Sequence, residues 1–346
     1  MGQERKILDE VSGWLRIYND GTVDRTWQGP PQVKFMAEPV PPHEHFVDGV
    51  ATKDILIDAN ANLRVRVYLP EKTPGEDNTK LPVILHFHGG GFCISQADWY
   101  MYYAVYSHLA RSVPAIIVSV YLRRAPEHRL PAAMHDAYSA LLWLSSLSKL
   151  DKSSSPHDDQ CSWLTANADF GRVFLIGDSS GGNIVHKVAA MAGKSSSELR
   201  PLTLRGAIPI HPGFMRAERS RSELEMPESP FLTLAMLDKF IALALPVGST
   251  KDHPITCPMG TEAEEPMETL RIPPMLLCLA EKDLIRDTEM EYFEAMKKAG
   301  KDVELFVSEG MTHSFYLNKI AVDMDRKTKM ETDRLIEKIV EFVVKH

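Results

Sequence analysis

The chain has 346 residues, 44% hydrophobic and 25% charged, with a net charge of −8 and a pI near 5.9. That acidity argues against nucleic acid or an anionic membrane as the main partner. No apolar run reaches the 18 residues or so that suggest a membrane span. The first ten residues lack the apolar centre of a secretory signal, and Lys6 stands where a myristoylation signal needs Ser or Thr. Cys93, Cys161, Cys257 and Cys278 are scattered, form no metal-type pair, and are expected as free thiols of a cytoplasmic protein. The length is enough for one large α/β unit.

Within residues 4–17, Ile7, Leu8, Val11, Trp14 and Leu15 recur at a spacing that predicts a short amphipathic helix. Asn19-Asp20-Gly21 marks a turn between 15–18 and 22–26, the pattern of a hairpin. Residues 28–46, rich in proline and histidine, read as an extended arm. His43 and His45 lack a third ligand nearby and read as solvated loop residues. Segments 52–57 and 63–69 alternate like paired antiparallel strands, with a polar loop over 70–80. Buried strands follow at 83–87, 115–120, 173–176, 204–210, 274–280 and 303–307. Helices are predicted at 102–109, 131–147, 182–190, 288–299 and 332–344, an exposed loop at 151–160, and a helical insertion over 212–258. Apolar strands alternating with helices imply a largely parallel sheet covered on both faces.

Gly177-Asp178-Ser179-Ser180-Gly181 lies between the strand 173–176 and a helix. In that context Gly-x-Ser-x-Gly exposes its serine at the apex of a strained turn. Glycine is needed at both ends, where a Cβ would collide with the neighbouring strand or helix. The Ser180 N–H and the helix N-terminus favour negative charge at the same spot. A glycine-rich turn of this kind could equally hold a phosphate. The serine reading therefore depends on partners elsewhere, since a hydroxyl is a poor nucleophile until a base takes its proton.

His88-Gly89-Gly90-Gly91 ends the strand 83–87, on the same sheet edge as Ser179. Three glycines let backbone N–H groups turn toward a developing oxyanion. Gly89 and Gly90, with the Ser180 N–H, are the candidate donors. In hydrolases of this plan the order along the chain is nucleophile, acid, histidine. His313 follows the strand 303–307 and is the candidate base. His253 lies in the insertion, His346 ends the chain, and His211 competes from the end of strand 204–210. For the acid, Asp283 sits just past the strand 274–280, whereas Asp287 reads as the N-cap of the helix from residue 288. Ser180 should point away from the apex and is assigned a structural role. The catalytic set is Ser179, Asp283 and His313, with no metal and no cofactor.

These motifs, with Asp283-Leu284-Ile285-Arg286-Asp287, His313-Ser314-Phe315 and the segment from Arg123 to Ala132, resemble the hormone-sensitive-lipase-like branch of the α/β-hydrolases. Within it the chain is similar to plant carboxylesterases, the group that includes the tobacco hypersensitive-response serine hydrolase. The resemblance implies one α/β-hydrolase domain over 1–346: a central, mostly parallel eight-stranded sheet flanked by helices. A cap would come from about 1–50 and 213–255. It implies hydrolysis of short- to medium-chain esters through a Ser-His-Asp triad and an acyl-enzyme. The partner would be a small apolar or neutral ester, the protein a monomer or homodimer, and the setting plant defence.

Some relatives have left hydrolysis. Gibberellin receptors lack the triad histidine, hydroxyisoflavanone dehydratases can carry threonine for the serine, and alkaloid cyclases form a third case. The alternative reading is thus a receptor, or a lyase- or cyclase-type enzyme, reusing the pocket. Ser179 and His313 are both kept here, which argues for hydrolysis. Tyr121-Leu122-Arg123-Arg124 departs from the Glu-Tyr-Arg-Leu of the branch, in a segment read as structural. Candidate pocket walls are Phe92, Trp99, Tyr100, Tyr102, Phe214, Met215, Ile285, Phe315 and Tyr316.

Overall fold

The computed structural model describes residues 4–72, 79–150, 161–229 and 231–346. The loop read at 151–160 and most of that read at 70–80 lie outside the described residues. Three short strands come first: β1 (Ile7–Val11), β2 (Leu15–Tyr18) and β3 (Val23–Asp24). Then follow β4 (Val50–Asp58), β5 (Leu63–Pro70), β6 (Leu81–Phe87), β7 (Ile116–Val120), β8 (Ala168–Asp178), β9 (Leu204–Ile210), β10 (Met275–Ala280) and β11 (Val303–Ser308). Every residue of β6, β7 and β10 is buried. Such unbroken apolar runs are what a sheet covered on both faces requires.

Among the described residues the main sheet has eight strands in the order β11-β10-β9-β8-β6-β7-β5-β4. All neighbours from β7 through β11 pair in parallel, and β5 pairs antiparallel with both β4 and β7. The helices are α1 (Tyr100–Ser112), α2 (Ala132–Ser148), α3 (Ser162–Asn167), α4 (Ser180–Lys194), α5 (Ser196–Leu199), α6 (Arg221–Glu225), α7 (Leu234–Ala244), α8 (Arg286–Lys298), α9 (Lys319–Met324) and α10 (Arg326–Lys345). Helix α1 packs on α10 and α2 on α4, so the two pairs cover the two faces. Helix α8 joins the α4 side, where Tyr292 Oη lies 2.9 Å from His186 Nδ1. No described helix is long and apolar enough to cross a membrane.

The register sets where the chemistry falls. Phe87 pairs with Gly177, Asp178 with Ile210, Ile210 with Cys278, and Ala280 with Ser308. The carboxyl ends of five parallel strands are therefore level, and the loops carrying His88, Ser179, His211, Asp283 and His313 leave from one edge.

The predicted N-terminal helix does not form. Residues 7–11 are a strand that turns back through Gly13, at φ +76, to pair Val11 with Leu15. Helical spacing arises there by coincidence, and Gly13 in a left-handed conformation decides for the turn. The predicted hairpin is present as β2 and β3. The arm at 28–46 includes a short helical turn, Pro31–Ala37, that the sequence reading left extended.

Arg25, just past β3, helps to fasten the small sheet to the body, as do the ion pair between Lys239 of α7 and Asp9 of β1 and the Trp14–Trp99 stack. Arg25 donates to Cys93 O at 2.6 Å, to Ala125 O at 2.9 Å and to Glu127 Oε1 at 2.7 Å. From the same loop Arg129 donates to Ala242 O at 2.8 Å, at the end of α7, and Arg123 donates through its N–H to Asp136 Oδ2 at 2.8 Å.

Candidate active site

Ser179 sits at φ 51, ψ −122, outside the regions that L-residues favour. Backbone bonds hold it there: its N–H donates to Ile210 O at 2.9 Å, and its carbonyl accepts from Gly182 N at 2.8 Å and Gly213 N at 3.0 Å. A Cβ on Gly181 would lie 2.0 Å from Phe87 O, and one on Gly177 would lie 2.5 Å from Gly181 O. Both glycines are thus sterically required. The side chain of Ser180 turns away from the apex and accepts the Phe92 N–H at 3.1 Å, which joins the elbow to the glycine loop.

Strain concentrates here. Phe92, Ser95, Ser179, His211 and Ser314 all have positive φ, with only Asp48 and Asn62 as further non-glycine cases among the described residues. Clustering of this kind is typical of sites whose surroundings over-determine the backbone.

The glycine loop corrects one expectation. The Gly89 N–H points into the protein and donates to Asp178 Oδ1 at 3.2 Å and Tyr102 Oη at 3.1 Å, so it does not serve as an oxyanion donor. Gly90 and Gly91, at φ +97 and +58, border the cavity beside Ser180 instead. Their N–H groups find no acceptor among the described residues. The chain reverses only after the first glycine, whose amide still faces the buried Asp178. A run of three glycines carries no direction, so the sequence offered no signal for this.

His313 and Asp283 meet, with Nδ1 to Oδ2 at 2.7 Å and both side chains buried. Asp283 Oδ1 also accepts the Ile285 N–H at 3.2 Å. Burial alone would raise this carboxyl. The His313 and His211 imidazoles and the Ile285 N–H outweigh it and hold Asp283 below the usual range. Asp287 is not the N-cap expected of it. Helix α8 begins at Arg286, and the Asp287 carboxylate reaches across to accept the Ser222 N–H at 2.8 Å.

His211 lies beside this pair, whereas His253 and His346 do not border the cavity. Behind Asp283, Glu289 is fully buried with neither carboxylate oxygen hydrogen-bonded among the described residues. Burial, and then the charge of Asp283, push its carboxyl well above the usual range. The sequence reading passed over Glu289, because nothing in a helical pattern marks an inward carboxyl.

His211, Asp283 and His313 offer ring and carboxylate atoms within 4.8 Å of one another. Two ligands of one tetrahedral zinc would stand roughly 3.3 Å apart. The 2.7 Å contact is a hydrogen bond, and His211 Nδ1 already accepts from Ser314 N. The trio therefore suits proton chemistry better than ligation.

Ser179, Ser180 and His313 border one cavity with about 60 Å³ of room for water centres. That is space for a handful of waters. Ser179 Oγ makes no hydrogen bond among the described residues, a common state of such sites before substrate arrives. Of the expected walls, Phe92, Tyr102, Met215 and Ile285 line the cavity, while Trp99, Tyr100, Phe214, Phe315 and Tyr316 do not. Trp99 stacks behind Trp14, with ring centroids 6.1 Å apart, and Trp14 is the wall residue. Leu237, Phe240 and Ile241 of α7 close the other side. Their i, i+3, i+4 spacing was the available signal.

Residues 84–317 match a protein family described by the alpha/beta hydrolase fold. The chain belongs to the α/β-hydrolase family. This hydrolase is 34% identical over 313 residues to probable carboxylesterase 6 of Arabidopsis thaliana, covering 90% of this chain and 85% of that one. It is also 34% identical over 336 residues to the gibberellin receptor GID1C of the same plant, covering 91% and 90%. Among solved structures it is similar to an esterase of Pyrobaculum calidifontis, with a TM-score of 0.65, 25% identity and 84% of each chain covered. It is a carboxylesterase-like α/β hydrolase of plant type.

Proposed function

We propose that the protein is a serine carboxylesterase acting on small, uncharged esters through an acyl-enzyme. The observation that carries this reading is the buried Asp283–His313 hydrogen bond beside a cavity that Ser179 also borders. His313 Nε2 takes the Ser179 proton as Oγ attacks the ester carbonyl. The oxyanion is received by the N–H groups of Gly90, Gly91 and Ser180. Collapse expels the alcohol, which takes the proton back from His313. Water then repeats the sequence on the acyl-enzyme, releasing the acid and restoring Ser179. Asp283 fixes the imidazole tautomer and stabilises the imidazolium.

The walls are mainly apolar, and among the described residues neither lysine nor arginine lines the cavity, which supports a neutral substrate. Its small size supports a short acyl chain. Trp14 and α7 act as the cap in this reading. Four buried free thiols favour a reducing compartment such as the cytoplasm, and the motif likeness to the tobacco hydrolase favours a role in defence.

Equal identity to a gibberellin receptor favours one second reading, a binding protein reusing the pocket. His313, absent from such receptors by the resemblance, weighs against it. Turnover of p-nitrophenyl acetate and butyrate decides. Activity should vanish in Ser179→Ala and drop by about 10³-fold or more in His313→Ala. Inert wild type that still binds a small ligand would give the receptor reading instead. Activity kept in Ser179→Ala but lost in Ser180→Ala would move the nucleophile.

A further inference from the structure

The proposed reaction gives His211 no role, yet the structure builds around it. It follows β9, between the strands that carry Ser179 and Asp283. Its backbone sits at φ +44, rare for a residue with a ring, and its N–H donates to Cys278 O at 2.8 Å. Its Nδ1 accepts the Ser314 N–H at 3.0 Å. Ser314 is itself at φ +51 and is the residue next to His313. A neutral imidazole that accepts at Nδ1 carries its proton at Nε2. That nitrogen is buried and unpartnered among the described residues. One ring nitrogen of His211 lies within 4.8 Å of both the Asp283 carboxylate and a His313 nitrogen.

We propose that His211 is a positioning residue for His313. Its Nδ1 holds the Ser314 amide, and with it the strained turn that presents the imidazole to Asp283. The proposal rests on reading His313 as the base. The bond exists only while His211 is neutral, since an imidazolium has no acceptor. Burial secures this, pushing the ring down to about 4, with Asp283 pulling it up, His313 pushing it down and Asp178 adding a weaker pull upward. The fourth ionisable neighbour, Tyr316, is kept protonated by its own burial.

Two substitutions separate acceptor from bulk. His211→Phe keeps a ring and loses the acceptor, whereas His211→Asn places an amide oxygen near the Nδ1 position. We expect kcat to fall about tenfold in His211→Phe with KM nearly unchanged. The acid limb of kcat/KM should move down by about half a pH unit or more, because the imidazolium loses part of its bond to Asp283. His211→Asn should restore both. A role in folding alone would lower the active fraction and leave the acid limb in place.

Titration of His313 by NMR reads the same shift without turnover. An inert wild type whose His313 shifts in His211→Phe would discard the esterase and keep the positioning. An active wild type whose Phe and Asn variants share one kcat and one His313 titration would discard the positioning. Should His211→Phe not fold, His211→Gln, which also lacks an acceptor at that place, takes its part in the same comparison.

Discussion

Asp283 Oδ2 and His313 Nδ1 stand 2.7 Å apart although 30 residues separate them in sequence. The contact follows from β10 and β11 being parallel neighbours with Ala280 opposite Ser308. Asp283→Asn keeps the shape but replaces the charge that would support an imidazolium. We expect kcat to fall by about 10⁴-fold with little change in KM. Asp287→Asn, which loses the contact to Ser222 and the ion pair with Arg286, should stay within about tenfold of wild type. Steady-state kinetics of the pair checks the assignment, and the reverse order of damage would exchange the two aspartates.

The Gly89–Asp178 contact makes a separate prediction. Asp178→Ala takes the acceptor from the buried Tyr102 hydroxyl and leaves the Gly89 N–H with Tyr102 Oη alone. Leaving a buried donor unpaired costs about 1–3 kcal/mol. Thermal unfolding should register that loss. Slackening the loop that offers Gly90 and Gly91 should lower kcat by about 10²-fold. Unchanged kcat in a folded Asp178→Ala protein would show that this tie does not position the loop.

Phe240 sets the depth of the cavity in the proposed reading. It lines the site from α7, and its ring lies 2.4 Å from where a Cβ on Gly91 would stand. Phe240→Ala should let longer acyl chains enter. Each extra methylene accommodated is worth about 1–3 kcal/mol, so the hexanoate-to-acetate ratio of kcat/KM should rise tenfold or more. A chain-length profile across p-nitrophenyl esters measures it.

Stability should fall on the acid side of neutrality. Burial pushes His88, His186 and His211 each down to about 4 from 6.5. Between those values the unfolded chain binds protons that the folded chain refuses. Stability is therefore full above about pH 6.5 and lost as pH falls toward 4. Glu289, whose carboxyl is pushed up by burial, works in the opposite sense and offsets part of this. Urea midpoints should decline as pH falls from about 6.5 toward 4. A flat profile would mean that these rings are hydrated.

The inner strands were readable because burial on both faces leaves no room for polar residues. The span 204–210 matches β9 at both ends, and the span 115–120 differs from β7 by one residue. The elbow was readable because steric exclusion at Gly177 and Gly181 leaves a mark in the sequence. Residues 7–15 misled because apolar spacing there fits a helix by chance, while Gly13 alone carries the contrary information. Gly89, His211 and Glu289 escaped for another reason. Gly89 and His211 take their meaning from partners 89 and 103 residues away, brought close only by the sheet, and Glu289 from its burial behind Asp283. Trp14 was missed as a wall because its position depends on Arg25 anchoring the small sheet.

Phe240 rests against Gly91, and its carbonyl also accepts from the Cys93 thiol at 3.6 Å. The helix that shuts the cavity thus leans on the very loop expected to receive negative charge. A bulky group pressing on the Phe240 ring would therefore press on the Gly91 backbone as well. Pocket size and the seating of the amides thus share one contact, so a substitution that reshapes the first reaches the second.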